Sequence, residues 1–282
     1  MSWRPKLPQI TWENVGNLLF AYLVLCAVMW AFQRNLMYAP HHDIGAPEEY
    51  ALEGFTDQAL ITDDNVIVHS WYHAAKEGYP TVLHFHGNAG NLSHRAYFFK
   101  TLASAGFGVL ALDYRGFGKS SGNPTEEGLY LDARAMLHYA TEKLKLPEKK
   151  LILYGESLGT GVAVQMATEC ECGMLALQSP YTSIENVAQE TYWWLPVRFL
   201  IQDRYNSIAK VQDVKEPTLV MHGEEDTLID ISHAKAIFAK LGEPKLAVYF
   251  PLVGHNNMNV GFMVNSLEAF SRKQGLLPEE KP

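Results

Sequence analysis

Eight short apolar or alternating runs between residues 59 and 250 restrict the fold more than any other feature of this chain. They read "ALIT" (59–62), "VIVHSWYH" (66–73), "TVLHF" (81–85), "GVLALD" (108–113), "LILYG" (151–155), "MLALQ" (174–178), "PTLVMHG" (217–223) and "LAVYF" (246–250). Their length and their aliphatic and aromatic content fit strands. Helical patterns fall between the later runs, near 93–105, 125–144, 158–170, 231–241 and 257–272. Two early strands followed by strand–helix repeats imply an α/β protein with a mostly parallel sheet flanked by helices. In such sheets chemistry collects in loops at the carboxyl ends of the strands. The 282 residues suffice for one large domain or two small ones.

The stretch "VGNLLFAYLVLCAVMWAF" (15–32) stands apart, with no charge and one amide, Asn17. At 1.5 Å per residue it spans about 27 Å, close to a hydrocarbon core. Trp12 and Trp30 lie near its ends, where interfacial aromatics are favoured. A cleaved signal peptide would have a shorter apolar region and a small-x-small cleavage site. The exit "WAFQRNLMYAP" offers none, so residues 1–35 are expected to be a retained single-pass transmembrane anchor. Arg4, Lys6 and the amino terminus precede the span, and Arg34 follows it. That bias points to the amino terminus inside and the following domain on the non-cytoplasmic side, the periplasm in a bacterium.

"YGESLGTGVAV" (154–164) sets Ser157 between Gly155 and Gly159, after a strand and before a helix. Larger side chains at the two glycines would collide with the adjacent strand or helix. Glycine lets the serine occupy a strained, exposed apex, and the free N–H groups of the helix that follows favour a developing oxyanion there. An unassisted serine is a weak nucleophile; it needs a histidine base and a carboxylate to orient that base. "VMHGEEDTLID" offers Asp226 after one late strand, and "VYFPLVGHNNM" offers His255 after the last. Glu224, Glu225 and Asp230 read as solvated loop charges. His69, His73, His138, His222 and His233 fall on strands or helices.

Acyl transfer also needs two N–H donors for the carbonyl oxygen. Leu158, next to the serine, supplies one. "HFHGNAGN" (84–91) supplies the other, most simply Asn88, with Gly87 allowing close approach. His84 and His86 read as braces of that loop, since no acidic partners accompany them as a metal site would require. In "DYRGFGKSSG" (113–122), Gly118-Lys119-Ser120 tempts a nucleotide reading, but the phosphate loop needs glycine where Asp113 stands. The net charge of −8 and pI near 5.8 argue against a nucleic-acid partner. Cys26, Cys170 and Cys172 are too sparse for a disulfide framework and read as structural thiols.

Taken with "FQRNLMYAP", "QSPYTSI" (178–184), "HGEEDTLID" and "GHNN", these stretches resemble the membrane-anchored, short-lid serine hydrolases of the α/β-hydrolase fold. That group includes bacterial serine-aminopeptidase-like proteins and the ABHD hydrolases with one amino-terminal span. The resemblance covers residues 33–270 or so. It implies a hydrolase domain over 36–275 with a short tail at 276–282. It also implies the triad Ser157, Asp226 and His255, no cofactor, and an acyl ester, thioester or amide as substrate. Gln178 departs from the group, which often carries glutamate there.

The segment 180–208 is longer than a minimal strand connection and rich in apolar residues. It reads either as a helix packed on the sheet or as a short lid, around 182–208, over an acyl pocket lined by Tyr181, Tyr192, Trp193 and Trp194. The leading expectation is a membrane-anchored carboxylic-ester hydrolase of the esterase, lipase or thioesterase type. The alternatives are an aminopeptidase or amidase on the same triad, and a catalytically inactive membrane-tethered scaffold.

Overall fold

The structure, a computed structural model, describes residues 11–279. Arg4 and Lys6, on which the orientation of the span rests, lie outside the described residues, as does 280–282 of the expected tail. In chain order the elements are α1 (Trp12–Met37), β1 (Ala39–Pro40), β2 (Thr56–Ile61), β3 (Ile67–His73), β4 (Thr81–Phe85), β5 (Ala89–Gly90), α2 (Ala96–Ser104), β6 (Gly108–Asp113), α3 (Glu126–His138) and β7 (Leu151–Glu156). There follow α4 (Leu158–Ala167), β8 (Met174–Gln178), α5 (Ile184–Thr191), α6 (Val197–Leu200), α7 (Ser207–Lys210), β9 (Thr218–Gly223), α8 (Ile231–Lys240), β10 (Lys245–Phe250) and α9 (Val260–Lys273).

The main sheet runs β10-β9-β8-β7-β4-β6-β3-β2. The β2–β3 and β3–β6 pairs are antiparallel and the rest parallel. The central strands read as continuous apolar runs because helices bury them on both faces; β4, β6 and β9 are buried along their whole length. Alternate residues of one strand feed opposite layers. From β4, Leu83 and Phe85 pack with Leu129, Met136 and Val162 of α3 and α4. Val82 packs with Phe99, Leu267 and Phe270 of α2 and α9.

The helix α1 begins at a cap in which Thr11 Oγ1 accepts from Asn14 N–H at 3.3 Å. It continues two residues beyond the expected boundary at 35. By length and composition it is a candidate membrane span, and Leu18, Phe20 and Leu23 on it are exposed. Its other flank is covered: Cys26 is buried against Leu195 and Val197, with Met29, Leu200 and Ile201 packed around them. The segment 182–208 is therefore three short helices. Two of them, α5 and α6, share this cluster with α1, while α7 packs on α4 and α8.

Immediately after α1, β1 pairs in parallel with β5. Ala39 N–H donates to Asn88 O at 2.9 Å, and His41 N–H to Gly90 O at 3.1 Å. The expectation of free structural thiols holds for Cys26 only. Cys170 and Cys172, one residue apart just past the end of α4, are joined as a disulfide, because the turn there folds the two side chains together.

Candidate active site

The turn between β7 and α4 is as tight as the glycines imply. A Cβ on Gly155 would lie 2.6 Å from Gly159 O, and one on Gly159 would run into the carbonyl of Phe85 at the end of β4. Ser157 takes φ +50° and ψ −116°, a left-handed conformation that costs a non-glycine residue on the order of 1–3 kcal/mol. Its N–H donates to Gln178 O at 2.9 Å, which ties the apex to β8.

Asp226 follows β9 and His255 follows β10, and the turns bring both to Ser157. His255 Nδ1 lies 2.7 Å from Asp226 Oδ2, and His255 Nε2 lies 2.9 Å from Ser157 Oγ. Asp226 is buried, and its other oxygen, Oδ1, accepts from the N–H groups of Leu228 and Ile229, each at 2.9 Å. Burial opposes its ionisation, but the bonds from His255 and those two N–H groups outweigh burial and hold the carboxyl below the usual aspartate range. An ionised Asp226 only accepts, so Nδ1 of His255 carries the proton and Nε2 is left to accept from the serine hydroxyl. His222, a competitor in sequence, is buried and its Nε2–H donates to Ile229 O at 2.9 Å.

Leu158 opens α4, and Asn88 sits in the loop between β4 and β5. Among the described residues no acceptor takes the main-chain N–H of either. Two other groups of Asn88 are committed to the end of α1 and the segment after it: its O accepts from Ala39 N–H, and its Nδ2 donates to Met37 O at 2.8 Å. His86 Nδ1–H donates to Gly87 O at 2.6 Å, and its ring packs on Tyr114 and Phe117. The ring of His84 stacks on Tyr154. Burial pushes His84 down to about 4 and His86 down to about 3, so both stay neutral. Asn91, which opens an Asn-Leu-Ser triplet, is buried and donates to His41 O and Asp43 O, so that triplet serves to hold the loop.

Sequence reasoning missed the pair that clamps this loop from the other side. Arg95 meets Glu156 through Nε–Oε2 at 3.1 Å and Nη2–Oε1 at 2.9 Å, and Arg95 Nη1 donates to Ala89 O at 2.7 Å. Burial opposes ionisation of Glu156, but Arg95 overcomes it and holds the carboxyl down to about 2. The partners stand 61 residues apart in sequence, and no local pattern links them. A cleft of about 550 Å³ opens here, lined by His255, Glu156, Arg95, His94 and Met258 among others.

The expected pocket residues part company. Tyr181 is fully buried, donates to Leu158 O at 2.9 Å and packs over Gly161, so it belongs to the core beneath the turn. Trp193 and Trp194 are 78% and 42% exposed and are not among the residues lining the cleft at His255. They occupy the turn between α5 and α6. Tyr192 does line a second, apolar cavity, together with α1, α5, α6 and Leu228.

A serine at a strand–turn–helix apex on a doubly covered parallel sheet, bonded to a histidine that is bonded to an aspartate, defines the α/β-fold hydrolase class. A family model described as alpha/beta hydrolase fold matches residues 80–212. An uncharacterised protein of Mycobacterium tuberculosis is 36% identical over 231 residues, 81% of this chain and 82% of its own. Protein bem46 of Schizosaccharomyces pombe is 28% identical over 255 residues, 85% of each chain. The chain belongs to the α/β-hydrolase family. The fold is also that of an esterase of Pyrococcus furiosus, with TM-score 0.70 at 20% identity over 84% of this chain and 98% of that one.

Proposed function

We propose that the chain is a membrane-anchored serine hydrolase that cleaves acyl ester or thioester bonds through an acyl-enzyme intermediate. The observation that carries this reading is His255 bridging Ser157 and Asp226 at 2.9 and 2.7 Å. His255 Nε2 takes the proton of Ser157 as Oγ attacks the carbonyl carbon, and the ionised Asp226 stabilises the imidazolium. The N–H groups of Asn88 and Leu158 receive the oxyanion; loss of one such donor costs about 3 kcal/mol of transition-state stabilisation. His255 then returns the proton to the leaving oxygen or sulfur. In deacylation it activates the water that frees the acid. No cofactor enters the scheme.

An aminopeptidase on the same residues would need a carboxylate to bind a free amine. Glu156, the acid lining the cleft beside His255, is already paired with Arg95. An inactive scaffold would not need Ser157 held in a strained conformation against a bonded histidine. The length and composition of α1 support the anchor, and the charges before it support a domain on the non-cytoplasmic side.

The test is labelling by a fluorophosphonate probe. Wild type should label, and Ser157→Ala should not, while keeping its melting temperature. Equal labelling of the two proteins would remove Ser157 as the nucleophile.

A further inference from the structure

The second cavity is built from the candidate membrane span itself. Met29, Leu36 and Met37 of α1 form one wall, Val187 and Tyr192 of the lid the other, and Leu228, from the loop after β9, completes the lining. It measures about 240 Å³, and carbon dominates its lining, with Gln33 and Thr191 the exceptions. A cavity lined in this way offers water few partners and suits hydrocarbon.

Two of these lining residues are bonded through their main chains to residues of the candidate site. Met37 O accepts from the side chain of Asn88 at 2.8 Å, and Leu228 N–H donates to Asp226 at 2.9 Å. The cavity therefore lies against the loops that carry Asn88 and Asp226, between α1 and the lid.

The seam between α1 and the lid reaches past the cavity, whose α1 wall begins at Met29, and the far end of that seam lies at membrane depth. Tyr22 Oη donates to Trp194 O at 2.9 Å, and Tyr22 stands ten residues before Phe32, the end of the uncharged run. With that run in hydrocarbon, the contact sits about 15 Å below its boundary. The turn between α5 and α6 must then share the bilayer with α1. Its side chains suit that position: Trp193 is 78% exposed and Phe199, on α6, is 84% exposed. Farther out, toward water, the side chain of Gln33 satisfies backbone groups of Leu200 and Gln202 across the same seam. Gln202 N–H donates to Gln33 Oε1 at 2.8 Å, and Gln33 Nε2 to Leu200 O at 2.9 Å. At the end of the seam Arg34 pairs with Asp203 at 2.8 Å.

We propose that this cavity is the acyl-chain site of the hydrolase, that α1 is one of its walls, and that it is filled sideways from the bilayer by the long acyl chain of a membrane lipid. The inference rests on the reading of Ser157 as an acyl-transfer nucleophile, and it explains how a lipid carbonyl reaches that serine without the chain crossing water. The lid tip reaches through one leaflet to about the midplane, the chain slides between α1 and α5, and the ester end arrives between Asn88 and His255.

The test uses the full chain with Ser157→Ala, reconstituted in phosphatidylcholine nanodiscs, so that binding is read without turnover. A phosphatidylcholine bearing a diazirine on its palmitoyl chain is photolysed in place, and the labelled peptides are mapped. Label is expected on 29–37 and 184–201, and its loss is expected in both Leu36→Trp and Val187→Trp, which fill the cavity from opposite walls. Label confined to the outward face of α1, or undiminished by both substitutions, would overturn the proposal. Label delivered only by a water-borne palmitoyl peptide would overturn filling from the bilayer. The fluorophosphonate assay on Ser157 reads the parent function separately.

Discussion

Asp226 does two jobs with its two oxygens. Oδ1 is fixed by the N–H groups of Leu228 and Ile229, and this leaves Oδ2 aimed at His255. Asparagine keeps the size and one acceptor, but its amide donates where the carboxylate accepts, and the imidazole is driven to the wrong tautomer. Asp226→Asn should therefore lower kcat on the order of 10⁴-fold with little change in melting temperature. A fall of less than about tenfold would mean that Asp226 does not orient His255. His84 allows a sharper pH experiment. Its ring is buried among Tyr154, Phe98 and Phe99, and Nδ1 has no hydrogen-bond partner. The folded protein keeps it neutral down to about 4, whereas the unfolded chain binds a proton below about 6.5. Stability therefore falls as pH drops through that window, by up to about 1.4 kcal/mol per pH unit for this one group. His84→Phe should flatten the melting-temperature curve between pH 6.5 and 4. Parallel curves for the two proteins would show that the imidazole is not held neutral.

At the scale of elements, the two-residue pairing of β1 with β5 matters more than its size suggests. Asn88 is held by its O to Ala39 and by its side chain to Met37. Asn88→Ala keeps the main-chain donor but removes the side-chain tether. It should lower kcat on the order of tenfold and leave KM nearly unchanged, because the loosened donor acts on the transition state alone. An unchanged kcat would detach the end of α1 from catalysis. The longer elements could be read from sequence because burial on two faces writes a continuous apolar run. A two-residue strand has no periodicity to display, and neither β1 nor β5 could be found that way. The segment 182–208 was legible as an insertion but not in its details. Aromatic content marked it, yet nothing in the order of residues said that Tyr181 would turn inward and Trp193 outward. Ser157, Asp226 and His255 could be singled out because each sits in a short loop directly after a strand, where a parallel sheet gathers its loop residues. The Arg95–Glu156 and Arg34–Asp203 pairs could not, since their partners meet only through tertiary packing.

At the scale of the whole molecule, the apolar helix is continuous with the hydrolase domain. It shares a packed cluster with α5 and α6, and only Tyr38 separates α1 from β1. Tyr38 is itself buried, and its hydroxyl lies 2.9 Å from that of Tyr205. Helix tilt follows bilayer thickness, since a span longer than the hydrocarbon leans to fit. Turnover of one ester in nanodiscs of short-chain and long-chain lipid is therefore expected to differ, and the difference should shrink in Asn88→Ala. Equal rates in both lipids would show that the helix and the loop move independently. With a single residue for a joint, the chain has no slack to absorb a change of lean. On the proposed reading of α1 as an anchor, the thickness of the surrounding lipid becomes a mechanical input at the reacting carbonyl, and the helix a lever as well as a tether.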